Sequence, residues 1–136
     1  MDIKISTSKK IDLTQIINLY EANKWSAAKK PEILQKALMN SHSVVSAWDN
    51  DKLIGLGNAI SDNYLVVYYP HLLVLPKYQN MGIGKLLMKK LQKKYMQFHM
   101  QMLTADENAI PFYKKMKFET AGNTTPMWIY NGTEHE

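Results

Sequence analysis

The stretch "IDLTQIINLYEANKW" carries apolar residues at Leu13, Ile16, Ile17 and Tyr20, the three-to-four spacing of one helix face. Its start has its own signals. Asp12 can cap the first turn, Gln15 stands three residues on, and Ile11 and Ile16 have the spacing of a hydrophobic staple. A second helix is predicted from Pro31, a residue suited to a first helical turn, with Leu34, Ala37 and Leu38 on one face. Ahead of both, the alternation in "DIKIST" predicts a strand.

"SVVSAW" and "KLIGLGNAI" flank "DND", two β-rich segments around an Asp/Asn turn, so a hairpin is expected. "YLVVYYPHLLVLP" then reads as a long central strand. Pro70 lies inside it and lacks the N–H that a ladder uses, so irregular pairing is expected nearby. A helix from Gly82 to Phe98 follows, then a strand in "MQMLTA", a short helix in "NAIPFYKKM" and a closing strand in "TPMWIY". The polar tail "NGTEHE" is expected to fray. No repeat, linker or low-complexity stretch divides the chain, so one α/β domain over residues 1–136 is expected.

Composition adds limits. With 136 residues, 46% of them apolar and 21% charged, the chain has the make-up of a soluble globular protein able to bury a core. It lacks the apolar stretch of about eighteen residues that a membrane span needs, and its start has no apolar signal segment. With no cysteine there is no disulfide, thiolate metal site or cysteine nucleophile. A cytoplasmic location is expected. The net charge of +5 is concentrated between Lys85 and Lys94, among apolar residues at helical spacing. Such a block reads as a solvated helix face, with a small polyanion as the sharper alternative. No zinc-finger spacing or aromatic RNA-binding motif accompanies it, so nucleic acid is not an expected partner.

"QNMGIGK", Gln79 to Lys85, places two glycines one residue apart where a strand gives way to a helix. Glycine loses more conformational entropy than other residues when it is ordered, so something there should need bare backbone. A Walker loop is excluded because Leu86 follows Lys85, and the dinucleotide fingerprint is excluded because Leu87 stands where its third glycine belongs. What remains is still an anion site. A helix start has unpaired N–H groups and a partial positive charge, glycine admits a phosphate without a Cβ collision, and Lys85 adds a full charge. A tight turn that needs glycine only for its dihedral angles explains the pair equally well.

"LLVLPKYQNMGIG" resembles the acyl-CoA-binding segment of the GNAT superfamily of N-acetyltransferases, V-x-P-x-x-[QR]-x-x-G-x-[GA], through Val74, Pro76, Gln79, Gly82 and Gly84. "AIPFYKKMKF" resembles a second family segment, A-x-x-F-Y-x-K-x-G-F, through Ala109, Phe112, Tyr113, Lys115 and Phe118. The resemblance implies a single-domain α/β (α+β) fold. Its twisted central sheet would be mixed, mostly antiparallel, of about six or seven strands, flanked by about four helices and splayed between central strands. It also implies transfer of the acetyl group of acetyl-CoA, without a metal, to a primary amine of a small molecule or protein. Attack would be direct, in a ternary complex, by a monomer or homodimer. A catalytically silent acyl-CoA-binding regulatory module is the alternative.

Residue by residue, the resemblance places the pyrophosphate on the backbone of Gln79, Asn80, Met81, Gly82, Ile83, Gly84 and Lys85. Leu72, Leu73 and Val74 would splay from their neighbour and offer backbone groups to the pantetheine arm, one N–H polarising the thioester. Tyr113 would protonate or hydrogen-bond the departing thiolate, since a phenol pKa of ~10 lies near that of an alkyl thiol. Its other reading is a core tyrosine with a satisfied hydroxyl. His71 is the candidate base, with Asp62 and Tyr68 as further possibilities. Tyr20 and Trp25 could line an acceptor pocket, although aromatics at helical spacing generally face inward. Two positions depart from the family. Lys117 replaces the glycine of "GF", which removes the usual left-handed helix cap. Asp106 aligns with a cofactor-contacting asparagine, which leaves Asn108 to serve from a shifted position.

Overall fold

The computed structural model describes residues 2–133. Its elements are β1 (Ile3–Ser6), α1 (Leu13–Ala22), α2 (Pro31–Met39), β2 (Ser43–Asp49), β3 (Lys52–Ser61), β4 (Val66–Tyr68), β5 (Leu72–Val74), α3 (Ile83–Lys94), β6 (Met100–Met102) and α4 (Ile110–Lys115). Among them, no helix is long and apolar enough to cross a membrane.

Asp12 caps α1 as its position suggests, its carboxylate accepting the Gln15 N–H at 3.2 Å. Gln15 does not complete the capping box. Its side chain accepts the Leu53 N–H and donates to the Asp51 carbonyl, both at 2.8 Å, and so ties the start of α1 to the β2–β3 hairpin. Ile11 and Ile16 are buried in one cluster, as a staple requires. The hairpin turns at Asn50, whose φ of 53° is the left-handed conformation that asparagine tolerates.

The sheet runs β1-β2-β3-β4-β6, with β5 also paired to β3. All pairs are antiparallel except β4 with β6. The expected single strand around Pro70 is two strands, and the register gives the reason. Tyr68 stands opposite Ile60 and Leu72 opposite Gly57, so four steps on one strand match three on the other. The extra residue is a bulge at the proline, and it redirects the chain. β4 keeps β6 as a neighbour, while among the described residues β5 pairs with β3 alone. Here the sheet splays.

Both faces of the sheet are covered. Ile16, Leu19, Tyr20, Leu34 and Leu38 of α1 and α2 pack with Leu53, Leu56 and Leu73 on one face. On the other, Ile83, Leu87, Met88 and Leu91 of α3 pack with Val45, Ile54, Val67 and Tyr69. Burying each of these α3 side chains stabilises by roughly 1.5–3 kcal/mol. The helix lies close because β3 has glycines beneath it. A Cβ on Gly55 would stand 3.0 Å from Leu87 Cδ1, and one on Gly57 3.2 Å from Leu91 Cδ1. Lys85, Lys89, Lys90, Lys93 and Lys94 face solvent, the solvated face that their spacing suggested.

Three expectations about the second half are corrected. α3 ends at Lys94 rather than Phe98, because Tyr95 turns its fully buried ring inward to hydrogen-bond Ser43 and His42. The closing strand in "TPMWIY" does not form, and residues 119–133 carry no strand. Trp128 instead stacks on Tyr130 at 4.5 Å, and the Tyr130 hydroxyl lies 3.3 Å from Ser26 Oγ. Finally, Lys117 takes the left-handed conformation at φ 74° without being glycine. The Phe118 N–H reaches the Tyr113 carbonyl at 3.0 Å and the Lys117 N–H that of Lys114 at 3.1 Å, so the usual cap forms at a strain of about 1–2 kcal/mol. Of the tail expected to fray, residues 134–136 lie outside the described residues.

Candidate active site

The α3 start is built from two left-handed residues, Asn80 at φ 64° and Gly82 at φ 82°. The Ile83 side chain is buried and anchors the helix, while its amide remains at the turn. The first helical bond is from Leu86 N–H to the Gly82 carbonyl, and Gly82 receives no side-chain cap. Among the described residues, the N–H groups of Ile83, Gly84 and Lys85 therefore have no protein acceptor. Such a helix terminus attracts negative charge.

The two glycines have different reasons. Gly82 is required by its positive φ, and a Cβ there would meet nothing within 4 Å. Gly84 has no such dihedral. A Cβ on it would lie 3.6 Å from Phe112 Cζ and 3.9 Å from Val74 Cγ2, ordinary contacts that a side chain tolerates. Neither backbone nor packing demands glycine at this position.

The splayed edge of β5 runs from this turn. Asn58 N–H bonds the His71 carbonyl and Leu75 N–H that of Ile54, so by alternation Leu73 bonds Leu56, and Leu72 and Val74 direct their backbone groups away from β3. Two expectations change. The Leu73 backbone is committed to the sheet, and the Val74 carbonyl accepts from Gln79 Nε2 at 3.0 Å and Asn23 Nδ2 at 3.1 Å. Gln79 thus binds the strand edge with its side chain, bracing the turn against β5. Asn80, Met81 and Lys85 are exposed at the turn.

Beyond Leu72 opens a cavity of about 980 Å³. Tyr113, His71, Leu72 and Asn108 all line it, brought together from two distant parts of the chain. Tyr113 is half-buried and clamped edge-on between Phe112 at 5.0 Å and Phe118 at 5.9 Å. Burial, and then the negative charge of Asp106, push its phenol up to about 12. Tyr113 therefore stays protonated at any working pH.

His71 lies in the break between β4 and β5, not on a strand. Its N–H donates to Asn58 Oδ1 at 3.0 Å and its carbonyl accepts the Asn58 N–H at 3.1 Å. Its ring meets Tyr20 and Trp25 edge-on at 5.4 and 5.1 Å. The two aromatics divide their expected roles: Tyr20 is fully buried, whereas Trp25 lines the cavity. Tyr68 lines it too. Asp62 does not. Its Oδ1 accepts the N–H groups of Tyr64, Leu65 and Val66, which hold its carboxyl below the usual range and make it a loop organiser.

Sequence reasoning missed Asn23, which ends α1 and reaches Val74, and the wall formed by Pro126, Met127, Trp128 and Tyr130. Asn23 carried only the signal of a helix-ending residue. The wall carried the alternation of a strand, which pointed elsewhere.

Residues 10–127 match the family model of the acetyltransferase (GNAT) domain. The N-acetyltransferase ycf52 of Pyropia yezoensis, itself described as uncharacterized, is 30% identical over 124 residues, covering 86% of this chain and 70% of its own. A chloroplastic GCN5-related N-acetyltransferase of Arabidopsis thaliana is 30% identical over 141 residues, covering 87% of this chain and 54% of its own. Among solved structures, a GNAT family acetyltransferase from Streptococcus pneumoniae TIGR4 superposes with a TM-score of 0.82 at 32% identity, covering 96% of this chain and 99% of that one. With the paired motifs, the splayed sheet and the glycine turn at the α3 start, these matches establish that the chain belongs to the GNAT family of acetyltransferases.

Proposed function

We propose that the protein transfers the acetyl group of acetyl-CoA to a primary amine, on a small molecule or a protein, by direct attack in a ternary complex. The observation that carries this reading is one continuous path. The donor-rich start of α3 lies beside β5, with Gly84 next to the Val74 side chain, and the outward edge of β5 leads at Leu72 into the cavity with Tyr113. Acetyl-CoA supplies an acetyl group already activated as a thioester. The amides of Ile83, Gly84 and Lys85 suit its pyrophosphate, and Gly84, which nothing inside the protein requires, is the point of close approach. The Leu72 and Val74 N–H groups suit the pantetheine arm and the thioester oxygen.

Tyr113 holds a proton at its hydroxyl for the sulfur that departs as the C–S bond breaks and the amine nitrogen bonds to the carbonyl carbon. The proton that the nitrogen sheds passes to solvent in the open cavity, from which Tyr113 is reprotonated. Its raised pKa keeps that proton in place until the thiolate, a stronger base than the thioester sulfur, develops beside it. Asp106 lines the cavity instead of the family's asparagine. Its charge acts on Tyr113 and favours the protonated phenol, a use for the carboxylate that does not need contact with a phosphate. Incubation with acetyl-CoA and a broad panel of primary amines, followed by free-thiol release, tests the reading. Amine-dependent thiol release is expected, and its absence across the panel would overturn it.

A further inference from the structure

We infer that Tyr20 is a positioning residue that holds His71 in its Nε2–H tautomer, so that His71 serves the site as a hydrogen-bond donor and does not take the proton of the incoming amine. This rests on reading the cavity as the acetyl-transfer site, but its decisive test does not require turnover.

The Tyr20 hydroxyl lies 2.8 Å from His71 Nδ1. Tyr20 is fully buried, and among the described residues its hydroxyl has no second partner. One of the two groups must donate. If Nδ1–H donated, the buried phenol O–H would be left without an acceptor, the costlier of the two arrangements. If the phenol donates, only an oxygen lone pair goes unmatched. Burial raises the phenol's pKa, so its proton is firmly held. Tyr20 is therefore the donor, Nδ1 the acceptor, and the proton of the neutral ring sits on Nε2. Whatever group meets Nε2 meets an N–H.

The ring is not at liberty to reverse. Asn58 grips the His71 backbone at both N–H and carbonyl, and Asn58 is itself oriented by donating to Ser41 Oγ at 3.0 Å. Ser41 in turn donates to the Ala37 carbonyl at 2.9 Å, so the support reaches into α2. Edge contacts from Tyr20 and Trp25 fix the imidazole plane.

Long-range proton–nitrogen NMR of the imidazoles in the full chain at neutral pH reads the tautomer directly, with His71 assigned by the resonances lost in His71→Gln. The wild-type chain is expected to show the Nε2–H pattern, and Tyr20→Phe a mixture of tautomers. An Nδ1–H pattern in the wild type, or a Tyr20→Phe spectrum identical to it, overturns the inference. Kinetics provide the second arm. His71→Ala should lose about tenfold in kcat, and His71→Gln should recover most of that loss. The glutamine carbonyl can accept from Tyr20 while its amide donates in place of Nε2–H. Glutamine as poor as alanine would restore the base reading. If even the wild type releases no thiol with any amine, the proposed function fails, and the NMR result still decides the tautomer.

Discussion

Two tyrosine–histidine pairs lie in different parts of this molecule, and both bring a buried phenol to an imidazole Nδ1. At the cavity, the buried Tyr20 meets His71 Nδ1 at 2.8 Å. Elsewhere, the buried Tyr95 meets His42 Nδ1 at 2.6 Å. The two pairs differ in where they stand. His42 Nε2 is engaged by Asn63 Oδ1 at 3.1 Å, and Ser43 Oγ hydrogen-bonds the Tyr95 hydroxyl, so that pair is tied into the surrounding sheet and helix. His71 lines the cavity. A phenol–imidazole bond is thus a general device for fixing a ring, and its surroundings decide whether the fixed ring serves stability or chemistry.

The comparison predicts a separation. Changes around the cavity should move catalysis and leave folding nearly intact, whereas changes around Tyr95 should do the reverse. The largest expected effect is Tyr113→Phe, which removes the proton for the leaving sulfur and should lower kcat by about 10²-fold or more. Acetyl-CoA affinity should be nearly unchanged, and an unaltered kcat would remove Tyr113 from the chemistry. The same residue gives a pH test. Its folded pKa of about 12 lies above the unfolded value of ~10. Its contribution to stability is therefore complete below pH 10 and fades as pH rises from about 10 to 12. Ultraviolet titration should find one phenol, absent in Tyr113→Phe, ionising in that raised range.

Next in size is Tyr95→Phe, which strands the polar groups of Ser43 and His42 and should cost about 1–3 kcal/mol in chemical denaturation. Turnover of the folded fraction should not change. A large loss of turnover there would break the separation. Gly84→Ala should act in opposite directions on the two measurements. The added methyl favours the helix by roughly 0.5–1 kcal/mol, yet should raise the KM for acetyl-CoA about tenfold. If stability and KM are both unmoved, the ligand-approach reading of Gly84 is wrong. The smallest expected effect is Lys117→Gly, which relieves the left-handed strain and should stabilise by about 1 kcal/mol with kinetics unchanged. Thermal or chemical denaturation would detect it.

Local rules served well where one side chain acts on its own neighbourhood. Asp12 caps α1, Pro31 opens α2, Asn50 turns the hairpin, and the stripe Ile83, Leu87, Met88 and Leu91 marks the buried face of α3. They failed where a distant partner outbid the local preference. Gln15 left its capping box for the hairpin, Tyr95 ended α3 early to reach Ser43, and the alternating "TPMWIY" became a cavity wall.

By itself, then, the sequence determined the kinds of elements, the glycine turn at the head of a helix and the family to which that turn belongs, because capping, periodicity and backbone freedom act over a few residues. Only the tertiary structure decided that Leu73 serves the sheet and Leu72 the cavity, that Gln79 braces the Val74 carbonyl, and that Tyr20 faces His71 across 51 positions of chain. Those outcomes depend on a one-residue bulge at Pro70 and on burial that leaves a hydroxyl a single partner. Neither exists until the strands are in register and the helices are packed.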